Sequence, residues 1–214
     1  MKQRQIIFSG EMVRAILAGN KTQTRRVIKP QPANGCHYEM TGSRHGACHL
    51  HTESFNAKQF DRCYVPPRPN FASHILPCPY GKPGDFLWVR EAWNFISDEI
   101  IVPAYRADSE TQIDKWKSPI FMPREASRIT LEITNVRVEQ VAGISIDDCF
   151  AEGIQLNGRD TEEVRNLFRI GWNKLNSKRG FYWSEADIPN NMRSGSGITI
   201  CINPWVWVIE FKKL

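Results

Sequence analysis

The stretch from Ser9 to Ile28 constrains the fold most, because it combines the pattern of a short helix, an abrupt turn and a cation-rich strand. Ser9 is a residue type that caps a helix by accepting hydrogen bonds from backbone N–H groups of the first turn. Four apolar residues then supply the narrow stripe of an amphipathic helix: Met12, Val13, Ile16 and Leu17. Gly19 can end that helix in left-handed geometry. The sequence therefore predicts a helix that stops at Gly19 and holds the following residues at a fixed place.

A lysine, two threonines and two arginines lie within residues 19–26. Alternation along a predicted strand at 22–28 sorts the side chains onto two faces. One face carries Thr22, Thr24 and Arg26, and the other carries Gln23 and Arg25. Most basic runs are solvated turns or edge strands, so this cluster alone does not establish a functional site.

Lys21 and Thr24 together suggest a nucleophilic site. A threonine hydroxyl is a weak nucleophile unless a neighbouring base takes its proton. Lysine can act as that base when burial or nearby cations lower its pKa, and Arg25 and Arg26 are close in sequence. A carboxylate could then carry a proton to the leaving group. The candidates are Asp85, Glu91 and Glu152, each of which could instead have a structural role as a turn cap, an ion pair or a solvated helix end.

The remaining apolar patterns predict an α+β fold built on a mixed sheet or small barrel. Predicted strands cover residues 5–8, 22–28, 86–93, 104–107, 127–140 and 204–211, with a bend or bulge midway through 127–140. A short helix is predicted between a Ser145 cap and Gly153, and a second over Thr161–Asn176 with a capping-box-like start at Thr161. Trp88, Trp205 and Trp207 are predicted to lie in the core. Two irregular insertions are expected, at about 33–80 and 155–203.

The first insertion is unusual because it contains all five histidines and four of the six cysteines. Structural zinc sites usually take their ligands from closely spaced Cys-x-x-Cys pairs. None of the four cysteines forms such a pair: Cys36, Cys48, Cys63 and Cys78. Reduced thiols and loop histidines are therefore favoured over a zinc site, and no metal or cofactor is assigned.

Composition restricts the protein class. The 214 residues carry a net charge of +5, which suits an anionic partner such as nucleic acid. No apolar run approaches 18 residues and no signal-peptide pattern precedes the first predicted strand, so neither a membrane span nor export is expected. With widely spaced cysteines, these features favour a cytoplasmic protein with reduced thiols.

The pattern Gly19-x-Lys21-x-x-Thr24-x-Arg26 resembles the signature of ASCH domains, relatives of the PUA RNA-binding barrels. Three later segments also resemble the family, in the family's order: Gly84–Val89, Ile144–Gly153 and Val208–Phe211. The similarity covers the chain outside the two insertions. Over its whole length, from the segment 8–19 to the segment 204–211, the sequence resembles the larger ASCH proteins encoded by bacteriophages and prophages. The resemblance implies a single PUA-like mixed β-barrel over residues 1–214, with flanking helices and the two insertions.

The same resemblance implies an activity and a site. Bacterial members of the family include small amidohydrolases that remove the acetyl group from N4-acetylcytidine with a lysine, a threonine and a glutamate. Matched to this chain, these residues are Lys21, Thr24 and Glu152. The expected substrate is RNA or a modified nucleoside or nucleotide. Those enzymes are about half as long and lack the insertions, which could cover or reshape the pocket.

Two other functions fit the same residues. In a non-catalytic RNA-binding module, Trp93 or Trp116 would stack on a base, and four cations would contact phosphate: Lys21, Arg25, Arg26 and Arg90. Glu91, beside Arg90, joins this expected substrate-binding set. Metal-assisted RNA cleavage, known for some relatives, is the third function and has only the histidine-rich insertion as local support.

Overall fold

The structure is a computed structural model, and it describes residues 1–32, 36–40, 47–52, 75–96, 102–108, 113–155, 158, 160–190 and 200–214. Its strands, in chain order, are β1 Gln3–Ile7, β2 Gln23–Val27, β3 Cys36–Met40, β4 Ala47–Thr52, β5 Ile75–Pro77, β6 Phe86–Arg90, β7 Trp93–Phe95, β8 Pro103–Tyr105, β9 Thr130–Gln140, β10 Phe181–Tyr182, β11 Cys201–Ile202 and β12 Trp205–Lys213. Its α-helices are α1 Gly10–Leu17, α2 Ile146–Ala151 and α3 Thr161–Asn176.

The central sheet has the strand order β1-β6-β9-β12-β2. β1 pairs with β6 in parallel, and the other neighbours are antiparallel. The predicted α+β class with a mixed sheet is therefore confirmed. Within the described residues, β1 and β2 form the two edges, so the strand pairing does not show a closed barrel.

β9 is the longest strand and contains the predicted irregularity. Its pairing with β12 shifts between Glu210, which opposes Asn135, and Phe211, which opposes Ile133. Thr134 is therefore the extra residue of a bulge on β9. A bulge bends a strand and increases its twist, which re-aims the side chains on either side of it.

Both faces of the sheet are covered, which explains why β12 is apolar almost throughout. On one face, Trp207 and Ile209 belong to a core that also includes Val13 and Ile16 of α1. On the other, Val206 and Val208 belong to a core with Val164, Phe168 and Trp172 of α3. The sheet thus lies between α1 and the α2–α3 pair.

The helix ends largely follow the predictions. Ser9 accepts from the amide of Met12, and Gly19 has a positive φ of 78° just after α1. Ser145 caps α2 by accepting from Asp148, and Gly153 follows that helix at φ 94°. α3 spans the predicted residues Thr161–Asn176, but the predicted cap was wrong, because Asp160 rather than Thr161 provides the oxygen that accepts from the Glu163 amide.

The prediction that both insertions are irregular is wrong for several positions. β3, β4 and β5 form an antiparallel three-stranded sheet within residues 33–80. In the second segment, α3 is the predicted helix, whereas the pairing of β10 with β11 in parallel and the burial of Tyr182 and Trp183 were not predicted. None of the helices in the described part of the chain has the length and apolar character that a membrane crossing requires.

Candidate functional site

The signature stretch, residues 19–26, is hydrogen-bonded through its backbone to the C-terminal end of α2. Lys21 and Glu152 form an isolated antiparallel bridge, and the Thr22 amide donates to the carbonyl of Ala151 at 2.8 Å. Gly153 makes this approach possible: a Cβ there would lie 3.1 Å from the Cβ of Ala15 and 3.2 Å from the Cβ of Lys21. The backbone therefore brings Lys21 and Glu152 together before their side chains are considered.

The side chains of Lys21 and Glu152 form a buried ion pair. The Lys21 Nζ donates to Glu152 Oε2 at 2.6 Å and to the Glu152 backbone carbonyl at 2.8 Å. Lys21 is only 2% exposed. Burial lowers the pKa of Lys21, although Glu152 acts in the opposite direction, and the neighbouring cations Arg26 and Arg25 add to the decrease. A buried lysine with a lowered pKa can accept a proton.

Arg25 lies on the face of β2 opposite to Thr24 and Arg26, and it is surrounded by carboxylates. Its Nη1 lies 3.2 Å from Glu152 Oε1, its Nε 2.9 Å from Glu139 Oε1, and its Nη2 2.9 Å from Asp148 Oδ2, with a further bond from Nη2 to Glu139. Burial opposes the charge, but Glu152, Glu139 and Asp148 raise the pKa of Arg25. Every nitrogen of this guanidinium is already paired. The predicted contact of Arg25 with substrate phosphate is therefore not supported.

Arg137 extends the network around Arg25. Its Nη2 donates to Asp148 Oδ2 at 2.8 Å, and its Nη1 is paired with Glu210. Glu139, Asp148 and Arg137 were not predicted as site residues from the sequence. The available signal was the polar pair Arg137 and Glu139 at alternate positions of β9, on the face opposite the apolar Val136 and Val138.

Thr24 and Arg26 lie on the face of β2 away from Arg25. Thr24 pairs with Ile209 of β12 and is 2% exposed. In the part of the chain that the structure describes, no hydrogen bond joins Thr24 to Lys21 or Glu152. Sequence alternation predicted these faces correctly, but the hydroxyl is not in direct contact with its expected partners.

Arg26 lacks a carboxylate partner among the described residues. Its Nη2 donates to the carbonyl of Ile7 at 2.7 Å, while its buried Nε has no acceptor there. The guanidinium carbon lies 5.1 Å from the ring centre of Phe8, and the Lys21 Nζ lies 5.9 Å from the same ring centre. Burial lowers the pKa of Arg26. Phe8 thus connects Lys21 and Arg26, and Arg26 retains unused hydrogen-bonding capacity.

Arg90, Glu91 and Trp93 form a separate group around Met122. Arg90 donates from Nε and Nη2 to the Met122 carbonyl, at 3.0 and 2.8 Å. Glu91 accepts two bonds from Arg128, at 2.9 and 3.1 Å, and burial raises its pKa despite that pairing. Among the described contacts, none made by these side chains reaches Lys21, Thr24 or Glu152.

Trp93 is poorly placed for stacking on a base. It is 4% exposed, contacts Phe95 edge-on at 5.2 Å between ring centres, and has the Lys117 Nζ 5.2 Å from its ring centre. Its predicted stacking role is therefore not supported by its position. Of the three tryptophans expected in the core, Trp207 is fully buried, whereas Trp88 and Trp205 are only partly buried.

The zinc hypothesis falls largely outside the described residues. Three of its residues lie outside the described ranges: His45, Cys63 and His74. Two others belong to described strands, Cys36 to β3 and Cys48 to β4. Among the residues whose side chains the structure describes, no group of three or more His, Cys, Asp or Glu is arranged to hold a metal ion. Cys78 and Cys149 are buried free thiols.

A scan against protein-family models and a search of curated proteins find no match to this chain. A search of solved structures finds a similarity to the ASCH domain from Lactobacillus crispatus JV V101. The two chains are 13% identical, with a TM-score of 0.35, and the alignment covers 99% of this chain and 79% of the other. That TM-score is too low for the similarity to carry an argument about function.

Proposed function

We propose that this chain is a PUA-like ASCH-domain protein that acts on nucleic acid or on modified nucleosides. The reaction proposed is hydrolysis of an N4-acylated cytidine by Lys21, Thr24 and Glu152. One observation carries this proposal: the lysine of the signature and the glutamate of the later helix are 131 residues apart in sequence, yet their side chains are 2.6 Å apart in a buried location. Chemistry alone left Glu152 as one of three candidate carboxylates, and the family resemblance selected it over Asp85 and Glu91.

The position of the resembling segments also supports the proposal. β2, which follows the signature lysine, pairs with β12, and β12 pairs with β9. Glu152 at the end of α2 contacts both Lys21 and Arg25. The signature, the post-strand helix and the terminal strand are thus assembled into one region.

In the proposed reaction, Lys21, whose pKa is lowered by burial, first loses its ion-pair proton to solvent. Neutral Lys21 then takes the proton of the Thr24 hydroxyl or of a water molecule. The resulting oxygen attacks the acyl carbonyl carbon, and the bond from that carbon to N4 breaks. Glu152 receives a proton from Lys21 and delivers it to the departing amino group. If Thr24 is the nucleophile, water then hydrolyses its acyl ester. Arg26, whose Nε has no acceptor among the described residues, would donate to the developing oxyanion.

Because the site is buried, the proposed reaction requires that the substrate gain access to it. Lys21 and Thr24 are each 2% exposed, so a substrate must open the site before either atom can react. The same burial favours the second candidate, a non-catalytic nucleic-acid-binding module in which the Lys21–Glu152 pair only holds α2 against β2. The two functions are distinguished by turnover.

The test is incubation with N4-acetylcytidine and chromatographic detection of cytidine and acetate. Glu152→Gln is expected to lower turnover by at least about 100-fold, because general acid–base catalysis contributes factors of this size. Thr24→Val should abolish turnover and Thr24→Ser should retain much of it if the hydroxyl is the nucleophile. Glu139→Gln is the matched control, since it makes the same carboxylate-to-amide change beside Arg25 without touching Lys21.

Equal losses in Glu152→Gln and Glu139→Gln would contradict the assigned role of Glu152. Absence of turnover by the wild type, together with salt-dependent binding of short RNA, would instead support the binding module. Binding through phosphate contacts weakens steeply as salt is raised, whereas hydrolysis of a neutral nucleoside does not depend on such contacts.

A further inference from the structure

A cavity of about 280 Å³ lies at the start of β1, on residues that the proposed function does not use. Its walls come from Lys2 and Arg4, from the turn that carries Lys82 and Asp85, and from residues 77–78 after β5. The Lys21–Glu152 region meets β1 at its other end, where Arg26 contacts Ile7. Ile7 is three positions after Arg4 along the extended strand, which corresponds to about 10 Å. The cavity is therefore a separate feature of the fold.

The single carboxylate in this cavity is already fully engaged. Asp85 Oδ1 accepts from the Lys2 amide at 2.8 Å, and Oδ2 accepts from Arg4 Nη1 at 3.2 Å and from the Lys82 amide at 3.3 Å. Burial opposes ionisation, but these donors hold the pKa of Asp85 below its ordinary value. Asp85 therefore remains a charged anchor that fixes three surrounding groups.

The cations fixed by Asp85 keep their own binding capacity. Lys2 and Lys82 are held through their backbone amides, so their ammonium groups are not used by Asp85. Among the described residues, neither ammonium group lies within salt-bridge distance of a carboxylate. The Arg4 side chain is 34% exposed and uses only Nη1 for Asp85. Three cations and one carboxylate leave this cavity with a net positive charge.

The rim of the cavity is tightly constrained at Gly81. This residue has φ 122°, and a Cβ there would lie 2.9 Å from Arg4 Nη1 and 3.0 Å from Asp85 Oδ2. The turn therefore packs directly on the Arg4–Asp85 pair and holds Lys82 in place. Ligand sites are typically concave, largely preformed, and provided with a few fixed polar groups beside apolar walls. Pro77 and Cys78 supply such a wall here, and both come from the first insertion.

We propose that this cavity binds a phosphate group, carried either by a free nucleotide or by the backbone of a nucleic-acid strand. At about 280 Å³ the cavity is slightly smaller than a typical ligand site, which suits a small group, and the three cations that line it suit an anion with several oxygens. This binding does not depend on hydrolysis at Lys21. It also gives the first insertion a role, because residues 77–78 line the same cavity as the cations.

The test measures binding by calorimetry with three probes: inorganic phosphate, cytidine monophosphate and a ten-nucleotide single-stranded oligonucleotide. The double variant Lys2→Ala/Lys82→Ala is expected to bind at least about tenfold more weakly, since it removes two charge-assisted contacts. The control is Lys115→Ala/Lys178→Ala, which removes two exposed lysines that do not line the cavity and loses the same net charge. Arg4 is left unchanged so that the Asp85 anchor is retained.

A loss confined to the oligonucleotide would assign the phosphate to a strand, and a loss for cytidine monophosphate as well would assign it to a free nucleotide. Either result supports the site. Equal affinities in the wild type, the double variant and the control would overturn it, as would the failure of the wild type to bind any probe. These measurements need no turnover, so they stand whether or not the proposed hydrolysis is found.

Discussion

Replacing Glu152 with alanine is expected to lower the free energy of unfolding by about 3 to 5 kcal/mol, the usual cost of removing one partner from a buried ion pair. The side chains of Lys21 and Glu152 are 1% and 7% exposed, so water cannot replace the lost carboxylate at Lys21. The variant also removes the 3.2 Å contact with Arg25 Nη1. Total stabilities of 5 to 15 kcal/mol are typical, so this loss would bring the protein close to unfolding.

Two companion variants establish where the cost arises. Glu139→Ala should cost only about 1 kcal/mol, because the Glu139 side chain is 23% exposed and Arg25 keeps Asp148 and Glu152. Glu152→Gln should cost less than Glu152→Ala, because the amide oxygen can still accept from the Lys21 Nζ. This variant therefore separates the proton-handling role of the carboxylate from its structural role.

The assay is urea unfolding followed by tryptophan fluorescence, with Lys21→Met and the double variant Lys21→Met/Glu152→Ala completing a double-mutant cycle. The double variant is expected to be more stable than the sum of the single losses predicts, because no unpaired charge remains buried at Lys21. A loss below about 1 kcal/mol for Glu152→Ala, or strict additivity in the cycle, would refute the buried pair on which the candidate site depends.

Two further predictions concern other parts of the fold. Burial raises the pKa of Cys78 and of Cys149 to about 11. The rate of alkylation of these two thiols by iodoacetamide should therefore rise about tenfold per pH unit between pH 7 and 9, as thiolate forms. A plateau of that rate within this range would contradict the assigned environments. Gly81→Ala should destabilise the protein by about 1 to 3 kcal/mol in thermal unfolding, because its positive φ and the contact with Arg4 both oppose a Cβ. Gly84→Ala shares the positive φ but has no atom within 4 Å of the added Cβ, so an equal loss in the two variants would exclude the steric contribution.

Local features of this protein could be predicted from sequence because their causes lie within a few residues. The Ser9 and Ser145 caps act on amides three residues later, and Gly19 and Gly153 end their helices by backbone geometry alone. The choice of Thr161 over Asp160 failed because both residue types can cap a helix, and only the backbone at that point decides between them.

The environment of the site could not be predicted in the same way. Alternation placed Arg25 on the correct face of β2, but its partners Glu139 and Asp148 are 114 and 123 residues away. No local pattern reports which carboxylates β9 and α2 present to that face. The separation of Arg90 and Trp93 from Lys21 was missed for the same reason, since it follows from how β6 and the residues around Met122 pack.

The place of β12 in the sheet also affects how the protein is made. Among the described residues, β2 pairs within the central sheet only with β12, which is synthesised after every other strand of that sheet. While residues 205–213 are still within the ribosome, the signature strand β2 therefore has no strand partner in the central sheet for its main-chain N–H and C=O groups. Such an edge invites pairing with other chains until the last strand arrives. Truncation before residue 205 is thus a hazard for solubility, because the strand that would cover this edge is then never made.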